Sequence, residues 1–174
     1  AASDAVLAQI GDEGDTPNTV TSTVTIAQLG VILPAITGIV AANESAYQEY
    51  IDANPTLFSS PATAAEVQAM VTAVNAQVAA QVASNAVLTQ IGNEGDAPNT
   101  VTSVVTVAQL GQILPAITGI VAANQTAYQA YIDANPALFS SPATAAEVQA
   151  MVTAVNAQVA AQAASNAVLT QIGN

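Results

Sequence analysis

The sequence predicts an all-α protein of tandem three-helix bundles joined by a long helix that crosses the repeat boundary. Three observations carry that prediction. Apolar residues make up 52% of the chain but aromatics only 3%, so the core must be built from Ala, Val, Ile and Leu. Such small side chains suit closely approached helices better than a thick sheet sandwich. Two boxes of the form Ser/Thr-x-x-Glu/Gln, Thr25-Ile26-Ala27-Gln28 and Thr63-Ala64-Ala65-Glu66, mark helix starts. The chain also repeats itself: residues 3–83 align without a gap on 84–164, and only 12 of the 81 positions differ. Residues 165–174 match the start of a further copy, so the chain is expected to be a slice of a longer array.

Each copy divides into the same elements. Ile10-Gly11 is followed by Asp12-Glu13-Gly14-Asp15-Thr16-Pro17-Asn18, whose Gly, Pro and Asn residues read as a helix stop and turn. Thr19–Val24 alternates and is β-prone, but it is too short and isolated to form a sheet alone. It reads as an extended connection with Val20 and Val24 turned inward. The capping box at Thr25 then opens a short helix with Ile26, Leu29, Leu33 and Ile36 at helical spacing, bent or ended by Pro34 and Gly38. A second helix is expected from about Ile39 to Ala53, with Val40, Tyr47 and Ile51 on one face, stopped by Asn54-Pro55. Leu57-Phe58 should plug the bundle from the loop.

Ser60-Pro61 and the box at Thr63 start a third helix, striped by Val67, Met70, Val71, Val74 and Val78. No Gly or Pro follows until Gly92, and Val87, Leu88 and Ile91 restore an apolar face. One helix of roughly 28 residues, about 42 Å long at 1.5 Å per residue, should therefore run from Ala64 to Ile91. Its first half should close one module and its last turns open the next.

Charge restricts the function. The chain has 12 acids and no Lys, Arg or His, for a net charge of −12. Nucleic acid is excluded as a partner, because neutralising phosphates needs cationic side chains, and anionic membrane surfaces are excluded likewise. No internal salt bridge is expected. The most apolar stretch, Leu29–Ala42, is too short and too broken by Gly30, Pro34 and Gly38 to span a bilayer. No basic segment precedes an apolar one, so no signal peptide is expected within the sequence. The lack of Lys and Arg removes every trypsin-type cleavage site and points to an extracellular location, with the chain soluble and monomeric.

The candidate site residues are acids. Glu13, Asp15 and Asp52, with their counterparts Glu94, Asp96 and Asp133, persist in both copies. The loop Asp12–Asn18 could converge oxygens on a hard cation such as Ca²⁺. Equally, it reads as a solvated turn in which Asp or Asn caps a backbone amide. Asp4, Asp12, Glu44 and Glu49 are replaced by Asn85, Asn93, Gln125 and Ala130, so a carboxylate is not required at those positions. Glu66 and Glu147 are assigned to helix capping. Tyr47, Tyr50, Tyr128 and Tyr131 read as bulk for an Ala-rich core, with a recognition patch as the alternative. The sequence predicts no enzyme: no His or Lys base accompanies the serines, and no Trp platform would hold a sugar between paired carboxylates.

The blocks Gln90-Ile91-Gly92-Asn93-Glu94-Gly95-Asp96, Ile117–Asn124 and Ser141–Met151 recur in both copies. They resemble the helical repeats of giant bacterial surface adhesins. That resemblance implies a spacer that holds an adhesive tip away from the cell, with neighbouring repeats as its partners, and it implies Ca²⁺ as a ligand. Most extender modules of that group are β-sandwiches, from which an all-α chain departs. The alternatives are a helical module that binds a host or partner protein and a self-assembling fibre or surface-layer component.

Overall fold

A computed structural model describes residues 1–13, 23–94 and 104–173. The protein is all-α, and no strand occurs among the described residues. Its helices are α1 (Ala2–Asp12), α2 (Ile26–Leu29), α3 (Glu44–Ala53), α4 (Ala64–Asn93), α5 (Val107–Leu110), α6 (Gln125–Ala134) and α7 (Ala145–Gly173). Short 3₁₀ turns at Ala41–Asn43 and Pro55–Leu57 flank α3, and equivalent turns flank α6. The chain forms two compact units, Ala1–Ala79 and Ala80–Asn174.

The core of the first unit draws Val6 and Ile10 from α1, Leu29 from α2, Tyr47 and Ile51 from α3, and Val67, Met70, Val71 and Val74 from α4. Val24, Ile32 and Phe58 complete it from the connections. The second core contains the same residues one period later, with Val87 and Ile91 of α4 standing where α1 places Val6 and Ile10. Helix α4 is unbroken, in agreement with its Ala- and Gln-rich sequence of high helix propensity. Thr63 caps it as expected: the Thr63 N–H donates to Glu66 at 2.7 Å and the Glu66 N–H to Thr63 Oγ1 at 3.3 Å.

The stretch after α2 differs from the sequence expectation. α2 opens with the expected capping box at Thr25 but ends at Leu29. Ile32 is fully buried while Leu33 is 71% exposed, so the inward residue is not the one that helical spacing picks out. Gly30 disfavours a further turn, and Leu33, preceding Pro34, is biased away from the helical region. Helix α3 begins at Glu44 rather than Ile39, because Val40 is extended at φ −110° and ψ 116° and Ala41–Asn43 form a 3₁₀ turn; before them Gly38 adopts φ +72°, a left-handed conformation suited to glycine. Val40 is therefore 42% exposed, outside the helical face assigned to it. Of the two residues expected to plug the core, Phe58 is buried and Leu57 is exposed. Val24 is buried as expected, whereas Val20 lies outside the described residues.

Gly11 lies in the last turn of α1, which ends at Asp12. A Cβ there would stand 2.5 Å from the Ser59 carbonyl oxygen and 2.7 Å from the Ala62 nitrogen. Only glycine lets α1 approach the Ser59–Ala62 backbone this closely. The approach is sealed by the Ala62 N–H, which donates to the Leu7 carbonyl at 2.9 Å. Gly92 repeats the arrangement against Ser140 and Ala143.

Candidate functional site

The acids singled out as cation ligands meet different fates. Glu13 and Glu94 are 3% and 2% exposed, so they belong to the interior and not to a solvated loop. The N–H of Glu13 donates to the Gly11 carbonyl, closing the end of α1. Asp52 is exposed on α3 and accepts from the Gln48 side chain at 2.7 Å, as Asp133 does from Gln129 at 2.6 Å. Asp15 and Asp96 lie outside the described residues. Among the described residues, no group of three or more acidic side chains stands in a metal-binding arrangement.

What the fold does concentrate is a set of side chains that serve the backbone of the irregular stretch between α2 and α3. Asn75 on α4 is the centre of the largest lock. Its Oδ1 accepts from Tyr47 Oη at 2.7 Å and from Asn43 Nδ2 at 2.8 Å, and its Nδ2 donates to the Gly38 carbonyl at 2.7 Å. Tyr47 Oη in turn accepts the Val40 N–H at 2.9 Å. Two helical turns earlier, Gln68 accepts the Thr37 N–H at 2.8 Å and donates to the Thr37 carbonyl at 3.1 Å, as a neighbouring strand would. Ser3 on α1 accepts the Leu33 N–H at 2.9 Å. Peptide groups outside regular helix or sheet need partners, and here polar side chains supply what a sheet ladder would.

The second unit repeats these bonds at Asn156, Tyr128, Gln149 and Ser84. Sequence reading missed Asn75, Gln68 and Ser3. A signal existed: all three are unchanged between the copies, and no position that differs between copies is buried among the described residues. The tyrosines fit the bulk reading, since Tyr47 is fully buried and Tyr50 packs against the core, and Tyr47 adds a hydrogen-bonding role.

Two capping carboxylates have lowered pKa values. Glu66 is held down from 4.5 to about 2, first by the Ser59 hydroxyl at 2.7 Å and then by the Thr63 backbone N–H. Glu147 is lowered as well, chiefly by the Thr144 backbone N–H. The expectation of no internal ion pair needs one correction: the amino group of Ala1 pairs with Asp4 at 2.8 Å. Both partners are exposed, so the pair contributes little.

A shallow cleft of about 300 Å³ in the second unit is lined by Tyr131, Leu138, Phe139, Glu147 and Met151. No described helix is long and apolar enough to cross a membrane. No protein-family model, curated protein or solved structure matches the chain.

Proposed function

We propose that the chain is a structural spacer: tandem three-helix bundles that share a helix, acting in an extracellular bacterial repeat protein to hold an adhesive region away from the cell surface. The reading is non-catalytic, and neighbouring repeats are the partners. The observation that carries it is α4. Its first half supplies Val67, Met70, Val71 and Val74 to one core, and its last turns supply Val87 and Ile91 to the next. No Gly or Pro interrupts it before Gly92. A continuous helix transmits direction as well as length, which a flexible tether does not. The near-identity of the copies fits a role fulfilled by number and length, and a surface rich in acids and lacking bases keeps such an array soluble.

Solution scattering of the intact chain tests the reading. A spacer gives an elongated particle of defined maximum dimension. Ala79→Pro removes one α4 hydrogen bond and introduces a clash with the preceding turn, at about 3 kcal/mol. It should broaden the distance distribution while each core stays folded. Wild-type scattering that fits two freely moving beads would sink the proposal.

A further inference from the structure

The 12 acids have no basic side chain to pair with anywhere in the sequence. In the first unit Asp4 and Asp12 lie on α1, Glu44, Glu49 and Asp52 on α3 and Glu66 on α4, with Glu13 buried at the end of α1. In the second, Asp133 lies on α6, Glu147 on α7, and Glu94 is buried after α4. Asp15 and Asp96 lie outside the described residues. The other titratable side chains are four tyrosines, which are neutral in acid. Protonation therefore takes the side-chain charge from −12 towards zero and never past it. Most proteins become strongly positive in acid, and that repulsion, together with the loss of paired carboxylates, unfolds them. Neither cause has weight here. The one ion pair among the described residues joins Asp4 to the amino group of Ala1, and both partners are exposed.

The protein itself supplies a partly neutralised version of its fold. Asn85, Asn93, Gln125 and Ala130 stand where the first copy has Asp4, Asp12, Glu44 and Glu49, and both units build the same core. Gln125 accepts the Val107 N–H as Glu44 accepts that of Ile26. Folding thus does without charge at those four positions. Glu66 and Glu147, whose charge serves the helix caps, keep it longest. The Glu66 carboxyl is held down to about 2 and that of Glu147 is lowered as well, so the caps weaken only as pH falls towards that value. Asp and Glu carboxyls in general titrate near about 4. A window around pH 3 therefore removes most of the charge and spares the caps.

We propose that acid switches on self-association: around pH 3 the chain stays folded, loses the repulsion between molecules and binds further copies of itself, and neutral pH separates them. Leu33, Leu57 and Leu138, at 71%, 54% and 55% exposure, offer apolar surface whose burial between molecules is opposed by like charge until then. A second copy is the partner that charge selects. A cationic partner would be attracted at neutral pH and released in acid, the reverse dependence. This inference rests on charge and not on the continuity of α4, so it stands apart from the spacer reading.

Sedimentation and far-ultraviolet circular dichroism of the intact chain, between about pH 7 and about pH 3, are the test. Near neutrality the chain should sediment as a monomer of 17.3 kDa. In acid the helical signal should persist while the mass rises with concentration, and a return to neutrality should restore the monomer. A variant carrying Ala76→Lys, Ala80→Lys, Ala157→Lys and Ala161→Lys regains one-signed charge in acid and should stay monomeric and folded there. Those alanines are exposed on α4 and α7, and lysine is a good helix former. A wild-type chain that stays monomeric in acid at every concentration overturns the proposal. So does loss of the helical signal at about pH 3, an assembly that neutral pH does not dissolve, or a lysine variant that associates as the wild type does.

Discussion

Asn75 shows how much of this fold hangs on neutral amides. It accepts two hydrogen bonds and donates one, and these tie α4 to Tyr47, Asn43 and the left-handed Gly38. Asn75→Ala should destabilise the first unit by about 2–3 kcal/mol, since stranded buried partners cost about 1–3 kcal/mol. Denaturant unfolding should show that loss in the first unit and leave the second, built on Asn156, unchanged. Glu44 makes the same point from the other side. Its carboxylate accepts the Ile26 N–H at 2.8 Å, and Gln125 does the equivalent for Val107 at 3.2 Å. That position requires an acceptor and not a charge, which is why the copies differ there. Glu66 is the exception, because its charge matters. Its folded pKa lies below the unfolded value, so its contribution is complete above about 4.5 and disappears as pH falls through about 2. Glu66→Gln should flatten the stability profile of the first unit across that window, as followed by acid titration of helical circular dichroism.

Among the elements, α4 was legible and the stretch between α2 and α3 was not. The buried face of α4 could be read because its determinants are local: a capping box, a stripe at helical spacing, and no breaker. Residues 30–43 also carry apolar side chains at helical intervals, yet they are not α-helical. Their conformation is decided by Ser3, Gln68 and Asn75, which lie 30 to 37 residues away along the chain. No window of sequence around Leu33 contains that information. The role of Gly11 was not legible for a related reason: only the nearby Ser59–Ala62 backbone shows that it permits close packing. The candidate acids were partly legible: persistence between copies flagged Glu13 and Glu94, but nothing in the local sequence marks them as buried.

For the whole molecule, the uncompensated acids set the response to ionic strength. With 12 acids and no basic side chain, like-charge repulsion opposes compaction, and salt screens it within about 10 Å at 0.1 M. Stability should therefore rise between very low and moderate salt. The first copy carries eight of the acids and the second four, so the first unit should gain more. Denaturation midpoints of the two units in a salt series would check this, and a larger gain in the second unit would contradict it.

The side-chain locks on the backbone also bear on how such a chain finds its fold. They reach across as many as 37 positions, as in the Asn75 bond to Gly38. Every loop that they close lies within the 81-residue period. The entropy of closing a loop depends on that loop's own length, and folding speed tracks the separation of contacting residues. Adding repeats therefore lengthens the polymer without lengthening any search, and a nascent repeat can complete its contacts before the following one has been synthesised.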